Sequence, residues 1–421
     1  MSTDLGAKKI VVVGQGYVGL PLAMAAHGAG RNVIGIDTDE RRVAQIQSGI
    51  SPVSGVDSSE LTSALEGGRY SIQSNYEGLT GFASAIITVP TPLKDGKPNL
   101  RFIESAAASL ASHISSGSLI VLESTTYPGT TEELLVPILE SGSKLVAGKD
   151  FHVGYSPERI DPGNPKWNLL NTPKITSGIN EESASAVAEL YSGFGITVVP
   201  VSGTREAELT KLLENTFRHV NIALVNELAM FSSQLGANIW EAIEAADTKP
   251  FGFMKFLPGP GVGGHCLPVD PSYLSWAIRE KAGESFRFVE LANTVNAFMP
   301  NFVVGQVERL LSELGIKLNK SRILIGGLAY KRGTSDIRES PAVVIAELLR
   351  DLGAVVHAID NYVSKADWPR FIKPHQGESP RYDAGILVTA HGDDIGLELA
   401  NSCKIVFDTR NEMGGENVTT L

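Results

Sequence analysis

Three glycines near the amino terminus have the spacing of a phosphate-binding turn. The run IVVVGQGYVGLPLA places Gly14, Gly16 and Gly19 between an apolar strand and an apolar helix. In such a turn the first glycine permits the bend, the second admits a pyrophosphate to the backbone, and the third lets helix and strand pack closely. Asp37 ends the next strand about 20 residues on, where a carboxylate binds a ribose 2′-hydroxyl and repels a 2′-phosphate. The pattern favours an NAD site over NADP, and over a simple tight turn with a capping aspartate.

A cysteine in a glycine- and proline-rich loop is the second candidate for chemistry. Cys266 lies in GPGVGGHCLPVDP, next to His265 and four residues before Asp270. A lone cysteine is usually a small buried apolar residue. A loop of this composition allows close approach of a ligand, and polar neighbours favour a reactive thiolate. The residues alone leave both interpretations open, a nucleophile and a buried structural thiol. Cys403, at the start of an apparent strand, is expected to be structural.

Four further polar residues have spacing or position that suits a reaction site. Lys211 and Asn215 stand four apart on a long helix, so their side chains share a face and could bind an oxyanion. By itself this spacing is more typical of a solvated helix face. Thr125 in ESTTYPG and Glu158 in YSPER each follow a predicted strand, and ligands bind where parallel strands end. Neither position decides the matter alone.

These residues are positioned by alternating short strands and helices, which is typical of a doubly wound parallel sheet. The first 200 residues and the segment after Ser321 both show this alternation, so two α/β domains of Rossmann-like type are expected. The predicted strands are 10–13, 33–36, 85–89, 119–122, 152–155, 197–201, 322–328, 355–359, 384–388 and 404–407, and the predicted helices include 19–28, 102–114 and 340–352.

Residues 204–236 predict one long helix, because they contain no proline and no glycine before Gly236. Eight apolar side chains repeat at helical spacing along it: Leu209, Leu212, Leu213, Phe217, Val220, Leu224, Leu228 and Phe231. Such a helix is longer than one small domain needs, so we expect it to join two domains and to carry a dimer contact. The expected domains are 1–203, a central helical segment 204–318 with the cysteine loop, and 319–421.

Composition excludes several classes of protein. The 421 residues include 43% hydrophobic and 20% charged side chains, which excludes a disordered or collagenous chain. A net charge of −11 makes a non-specific nucleic-acid or membrane-surface binder a poor interpretation. Two cysteines are too few for a disulfide framework, and no apolar run is long enough to span a membrane. A cytoplasmic location is therefore expected. No spacing of histidines suggests a metal site.

The whole chain resembles the UDP-glucose/GDP-mannose dehydrogenase family, the nucleotide-sugar 6-dehydrogenases. The resemblance rests on seven ordered motifs: VVVGQGYVGLPLA, TVPTPL, ESTTYPGTT, YSPERIDPGN, KLLENTFRHVNIALVNE, GPGVGGHCLPVDP and GLAYKRGTSDIRESP. It implies an oxidation of a sugar C6 alcohol to a carboxylate with reduction of two NAD. It also implies that the first domain binds NAD, that the last binds the UDP-sugar, and that the chain forms a homodimer.

The resemblance assigns a role to each matching position. Cys266 would capture the C6 aldehyde as a thiohemiacetal, from which a thioester forms and is hydrolysed. Lys211 and Asn215 would stabilise oxyanions, Thr125 and Asp270 would hold the catalytic water, and Glu158 would serve in acid–base steps. His265 could tune the thiol or act as a base. The cofactor-binding set is Gly14, Gly16, Tyr17, Val18, Gly19, Asp37, Thr91 and Thr125. The substrate-binding set is Glu158, Arg159, Lys211, Asn215, Arg218, Phe253, Leu257, Gly263, Tyr330, Lys331 and Arg338.

Within this family the chain is most similar to the branch acting on UDP-N-acetylhexosamines, and UDP-N-acetylglucosamine is the first-choice substrate. The pointers are ERIDPGN, FRHVNIALVNE and the His265–Cys266 pair. The UDP-glucose branch has a lysine where this chain has Val269, and an arginine for the neighbouring subunit where it has Pro250. UDP-N-acetylgalactosamine, UDP-N-acetylmannosamine and UDP-glucose remain alternatives, as does a two-electron β-hydroxyacid dehydrogenase. A non-catalytic nucleotide-sugar sensor is the alternative from another class. The product would supply a surface polysaccharide.

Overall fold

The structure is a computed structural model that describes residues 9–53, 55–79, 81–161, 164, 166–264, 267–375, 377, 382–392 and 394–421. The chain divides into two compact units, Met1–Glu214 and Asn215–Leu421. The predicted pair His265 and Cys266 lies outside the described residues.

The first unit is a sheet covered by helices. Its strands are β1 (Lys9–Val13), β2 (Val33–Ile36), β3 (Tyr70–Gln73), β4 (Phe82–Ile87), β5 (Leu93–Lys94), β6 (Lys97–Pro98), β7 (Leu119–Leu122), β8 (His152–Tyr155), β9 (Lys174–Gly178) and β10 (Val198–Pro200). Its helices are α1 (Gly19–Gly28), α2 (Glu40–Gln47), α3 (Ser58–Glu66), α4 (Arg101–Ala111), α5 (Val136–Ser143) after a π-helical turn (Thr131–Leu135), α6 (Glu181–Ser192) and the start of α7 (Thr204–Ser232).

The strand order of this sheet is β10-β9-β8-β7-β4-β1-β2-β3, with β5 and β6 forming a separate antiparallel hairpin. The pairs from β3 through β8 are parallel, as the sequence predicted. The pair β8–β9 is antiparallel, which the sequence analysis did not predict. A parallel neighbour requires a crossover, usually helical, and no helix is assigned to the described residues between β8 and β9.

Two strands of the first sheet escaped the sequence analysis because their residues are polar. β9 reads KITSG, yet every residue in it is buried, including Lys174, Thr176 and Ser177. β3 reads YSIQ and has only two buried positions. A run of apolar residues identifies a strand only where the buried residues of that strand are apolar.

The second unit contains the rest of α7, then α8 (Ile239–Asp247), α9 (Asp270–Ala282) and α10 (Arg287–Glu313). A smaller α/β part follows: β11 (Arg322–Gly326), α11 (Pro341–Asp351), β12 (Val355–Ile359), a 3₁₀ turn (Lys365–Asp367), β13 (Lys373–Pro374), β14 (Tyr382–Leu387), α12 (Ile395–Ser402), β15 (Cys403–Asp408) and β16 (Val418–Thr420). Its sheet has the order β13-β12-β11-β14-β15-β16, and these pairs are parallel. The predicted fold class, two α/β sheets with a helical segment between them, is confirmed.

The long helix α7 presents different residues on different sides. It runs for 29 residues, and the division between the two units falls within it. Six of the eight predicted stripe residues are exposed, whereas Leu212 is buried and Val220 packs partly against α10. These six apolar side chains are not buried in the core of a single chain, and an exposed apolar strip of this kind marks an interaction surface.

Among the described helices, none is both long enough and apolar enough to cross a membrane.

Candidate active site

The glycine turn after β1 has the geometry that its spacing predicts. Gly14 has a φ of 93°, a conformation that favours glycine. A Cβ on Gly19 would lie 1.8 Å from the carbonyl oxygen of Gly14, so α1 packs directly on the turn. A Cβ on Gly16 would meet no atom within 4 Å. The space beside Gly16 is therefore open to a ligand, and the other two glycines are required by the turn itself.

Two residues that the sequence analysis did not single out brace this turn. The Thr88 hydroxyl lies 2.9 Å from the carbonyl oxygens of both Val13 and Gly14. The Gln15 side chain is fully buried, donates to the carbonyl of Val12 at 2.9 Å and accepts from the Tyr70 hydroxyl at 2.8 Å. Thr88 follows β4, and only the strand pairing of β1 with β4 brings it to the turn.

Asp37, at the end of β2, is buried and keeps capacity for one more hydrogen bond. Its carboxylate accepts from the backbone N–H groups of Gln15 at 2.8 Å and Asp39 at 2.9 Å, and from Arg42 at 2.9 Å. An ionised carboxylate has about four acceptor positions, which leaves one for a ribose hydroxyl. Its partner Arg42 lines a cavity of about 330 Å³, together with Gly16, Tyr17, Asp39, Arg41, Gln45, Pro52 and Val53. The residues present fit the adenosine end of a dinucleotide.

Glu158 and Lys211 are in contact in the first unit. Both side chains are largely buried, and the Lys211 ammonium donates to the backbone carbonyl of Glu158. The Glu158 carboxylate accepts from the backbone N–H groups of Arg159 and Ile160, and its other oxygen lies 3.6 Å from the ammonium of Lys174. The structure thus joins two residues that the sequence analysis proposed separately, and adds Lys174.

The loop that carries Thr125 is attached to α7 by Glu208. The Glu208 carboxylate accepts from the backbone N–H groups of Gly129 and Thr131, and from the Thr131 hydroxyl at 2.7 Å. Burial raises the pKa of Glu208 to about 7, although these hydrogen bonds act in the opposite direction. Thr125 itself is half-buried in this loop. Glu208 lies one turn before Lys211, so the same helix end fixes both the loop and the ammonium.

Asn215 and Asp270 are hydrogen-bonded in the second unit. The Asn215 amide donates to the carboxylate of Asp270, which is buried at the first position of α9. Asn215, four residues after Lys211, lies on the same face of α7, and so does the exposed Arg218. Asp270 therefore fixes the Asn215 side chain.

The glycine loop that precedes the cysteine lies against the loop after β11. A Cβ on Gly263 would come within 2.8 Å of the Tyr330 side chain, and one on Gly264 within 2.6 Å of the Tyr330 ring. The Gly264 N–H donates to the carbonyl of Arg338 at 3.0 Å. Gly263 was predicted from one motif and Tyr330 and Arg338 from another, and the structure brings the two motifs together.

The remaining predicted residues are located as follows. Arg159 pairs with Glu214 at 2.6 Å, and the Arg338 guanidinium is held by Asp336. Lys331 is half-buried, Thr91 is buried, and Val18 precedes the first residue of α1. Tyr17, Phe253 and Leu257 are 39%, 40% and 48% exposed. Their roles stay predictions.

A ladder of buried amides connects α7 to the glycine loop, and the sequence analysis did not find it. Asn226 is fully buried, accepts from the Gly259 N–H at 2.9 Å and donates to Asn296 of α10 at 2.9 Å. His219 is also buried and contacts Asn293 at 2.8 Å. Both Asn226 and His219 belong to the motif FRHVNIALVNE. Asn226 therefore holds the loop that leads to the cysteine, and His219 joins α7 to α10.

Three domain models of one protein family match consecutive segments of the chain. The NAD-binding domain of the UDP-glucose/GDP-mannose dehydrogenase family matches residues 8–195, its central domain 205–297 and its UDP-binding domain 324–414. A UDP-N-acetyl-D-glucosamine 6-dehydrogenase of Pseudomonas aeruginosa is 37% identical over 98% of this chain and 94% of its own length. The chain belongs to the UDP-glucose/GDP-mannose dehydrogenase family.

Two further comparisons extend over the whole chain. A UDP-N-acetyl-D-mannosamine dehydrogenase of Pyrococcus horikoshii is 36% identical over 96% of this chain and 95% of its own length. A solved structure of a UDP-D-ManNAc dehydrogenase from Pyrococcus horikoshii superimposes with a TM-score of 0.85 at 33% identity, covering 98% of each chain. The family resemblance and the NAD-binding domain predicted from the sequence are confirmed, and the protein is an NAD-dependent nucleotide-sugar dehydrogenase.

The family's UDP-binding domain includes one cation that the sequence analysis missed. Arg410 follows β15, donates to the carbonyl of Val388 at 2.7 Å, and would contact a Cβ on Gly259 at 2.6 Å. Burial lowers the pKa of Arg410 to about 10, which leaves it charged at neutral pH. An arginine in a loop after a strand gives no signal in the sequence, since its neighbour Gly259 lies 151 residues away.

Proposed function

We propose that this dehydrogenase oxidises the C6 alcohol of a UDP-N-acetylhexosamine, with UDP-N-acetylglucosamine as first choice, to the uronate. The observation that carries the reaction type is the buried Lys211 ammonium held at the carbonyl of Glu158, just after β8 of the dinucleotide domain. An ammonium in a desolvated position stabilises a developing oxyanion far more than it would in water. The names of the two relatives support an N-acetylated sugar.

The reaction is balanced as one alcohol, one water and two NAD⁺ giving one carboxylate, two NADH and three protons. NAD, when bound, accepts the hydride from C6. Lys211 and Asn215 stabilise the oxygen anion at C6, and Glu158 exchanges protons in acid–base steps. Cys266 bonds to the aldehyde carbon as a thiohemiacetal, which retains the aldehyde between the two oxidations. Asp270 and Thr125 hold the water that hydrolyses the thioester.

The UDP portion is proposed to lie on the loop after β11. Tyr330, with its ring on the glycine loop, offers a stacking surface, and Lys331, Arg338 and Arg410 offer cations for the diphosphate. Leu257, Phe253 and Gly263 supply apolar and backbone contacts, and Arg159 and Arg218 polar contacts to the sugar. The uronate product would serve a surface polysaccharide, and a cytoplasmic location fits such a precursor.

We also propose a homodimer formed through α7. Leu209, Leu213, Phe217, Leu224, Leu228, Phe231 and Leu235 are 43–77% exposed. At about 100° per residue the six positions within α7 fall within an arc of about 100°, and Leu235 follows the end of the helix. Lys211 and Asn215 lie on a different side of the helix. A contiguous apolar strip of this kind favours burial by a second copy of the same helix.

The test of the sugar is a panel of kcat/KM values with NAD and purified protein. UDP-GlcNAc, UDP-GalNAc, UDP-ManNAc and UDP-glucose are compared at the same pH, with Cys266→Ser as the control that lacks the nucleophile. The proposal expects the highest kcat/KM with UDP-GlcNAc. A higher kcat/KM with UDP-ManNAc would make this sugar the proposed substrate, as the name of the Pyrococcus relative suggests. If no sugar gives NADH, the alternative of a non-catalytic nucleotide-sugar sensor is favoured.

A further inference from the structure

A buried lysine, Lys174, lies between two glutamates, Glu123 and Glu158, and next to the ring of Tyr191. Lys174 opens β9 and is 3% exposed. Its ammonium lies 3.1 Å from the carboxylate of Glu123, 3.6 Å from that of Glu158, and 4.9 Å from the ring centre of Tyr191. None of these three partners is near Lys174 in sequence, so four separate elements have been brought together around one charge.

The two carboxylates next to the Lys174 ammonium have different further hydrogen-bond partners. Glu123 is 1% exposed and also accepts from the Tyr191 hydroxyl. Glu158 has one oxygen bound by two backbone N–H groups, while its other oxygen makes no hydrogen bond to the described residues and faces Lys174. The cavity lined by Glu158 and Lys174 is about 10 Å³, at the lower limit for one water molecule. This space holds at most about one water molecule, which carries no positive charge to replace the ammonium.

Charge balance connects the cluster to the proposed chemistry. The titratable groups around Glu158 are Glu123 after β7, Lys174 in β9, Tyr191 in α6, Lys211 in α7 and the half-buried Arg159–Glu214 pair. Among the described residues Lys174 lies within 4 Å of both carboxylates, whereas Lys211 donates to the backbone carbonyl of Glu158. Two buried carboxylates without a cation between them cannot both stay ionised.

The ionisation of the cluster follows the same geometry. Burial raises the pKa of Glu123 to about 7, and Glu158 adds to this while Lys174 opposes it. Burial alone would lower the pKa of Lys174, but the two carboxylates outweigh it and raise that pKa. Lys174 thus stays protonated through neutral pH.

We propose that Lys174 is a positioning residue for the oxidation. Its ammonium holds the Glu158 carboxylate ionised and in place, and through the 158–160 turn it sets the carbonyl oxygen that receives Lys211. This inference rests on the proposed function, because Glu158 and Lys211 act on substrate while Lys174 acts only through them.

The test requires variants that fold without leaving an unpaired charge. Removing one partner of a buried ion pair is costly, whereas removing both is often tolerated. The decisive variant is therefore the double substitution Lys174→Met with Glu123→Gln, which keeps size and leaves Glu158 without its counter-ion. Glu123→Gln alone retains the Lys174–Glu158 contact, and Lys174→Arg retains the charge. Lys149→Met makes the same substitution at an exposed lysine of the same unit.

Two measurements read the charge of Glu158. The first is a carbon-13 NMR titration of glutamate carboxyls, assigned with Glu158→Gln, which needs no substrate. The second is the pH dependence of kcat/KM. In the double variant both the protonation midpoint of Glu158 and the acidic limb of kcat/KM should move up by at least one pH unit. In the double variant kcat/KM should fall at pH values below the shifted midpoint and return at high pH. Lys174→Arg and Lys149→Met should keep the wild-type profile, and Glu123→Gln should not move the acidic limb upward.

The outcomes separate this inference from the proposed function. An unshifted Glu158 midpoint, or a loss of kcat that is uniform with pH in a folded double variant, overturns the role of Lys174. Absence of NADH from every UDP-sugar with wild-type protein overturns the proposed function instead, and the NMR titration still decides whether Lys174 controls the charge of Glu158.

Discussion

Single atoms decide what the glycine turn can accept, and its three glycines are not equivalent. A Cβ on Gly19 would lie 1.8 Å from a backbone oxygen that cannot move aside, whereas a Cβ on Gly16 meets nothing within 4 Å. One position is required by the fold, and the other is open toward the space where a pyrophosphate would lie.

This difference predicts opposite effects of two matched substitutions. Gly19→Ala should destabilise the protein by about 1–3 kcal/mol, because the added methyl overpacks the turn. Gly16→Ala should leave the melting temperature almost unchanged and raise the Kd for NAD by at least about tenfold, because the methyl occupies the open space. Thermal unfolding and calorimetric NAD titration measure both. Wild-type NAD affinity in Gly16→Ala would contradict this description of the turn.

The buried Glu208 carboxyl predicts a pH dependence of stability. Burial raises its pKa from 4.5 to about 7, so between these values the native state keeps a proton that the unfolded chain has lost. The corresponding stability is complete below about pH 4.5 and is lost as pH rises through about 7. Glu208→Gln cannot titrate. The difference in unfolding free energy between wild type and variant should therefore shift against the wild type by up to about 3 kcal/mol from pH 4.5 to 8.

Denaturant unfolding at several pH values measures this difference. Glu206→Gln, at an exposed position of the same helix, is the control and should follow the wild type. If Glu208→Gln and the wild type show parallel pH dependence, the carboxyl does not hold the proton assigned to it.

At the scale of elements, α7 brings three kinds of contact into one helix. Glu208 binds the Thr125 loop, Lys211 contacts Glu158, and Asn226 accepts from the glycine loop. The exposed apolar stripe lies on yet another side. Glu208 and Lys211 belong to the first unit and Asn226 to the second, so each part of α7 makes these contacts within its own unit.

The apolar stripe of α7 predicts the oligomeric state. The wild-type protein should have twice the 44.9 kDa mass of one chain in light scattering. The double variant Leu224→Asp with Phe231→Asp should dissociate to single chains, because it places charges in the centre of the stripe. Leu397→Asp, at a 65% exposed position of α12, should remain a dimer. A wild type with the mass of one chain would contradict the proposed dimer.

At the scale of the whole molecule, apolar periodicity and glycine spacing predicted the α/β sheets, the long helix and the glycine turn. The same reasoning missed Lys174, Glu123 and Arg410. These residues act through partners that are distant in sequence: Glu123 and Lys174 stand 51 positions apart and meet only because β7, β8 and β9 are neighbours. A polar side chain is buried only where such partners surround it, so the residues next to it in sequence do not predict its burial.

The antiparallel β9 shows the same limit for topology. Its polar residues gave no strand signal, so the reversal between β8 and β9 could not be predicted from the sequence. The reversal has a consequence for the site, since it places Lys174 at the end of β9 nearest Glu158. Glycine spacing could be predicted because it acts locally, within one turn of the backbone.

The most direct test of the central claim is the number of NADH molecules formed per molecule of limiting UDP-N-acetylglucosamine. The four-electron oxidation predicts two, with the uronate as product, and no NADH beyond one with Cys266→Ser. One NADH per sugar with the wild-type protein, and an accumulating aldehyde, would contradict the mechanism assigned to Cys266, Lys211 and Glu158.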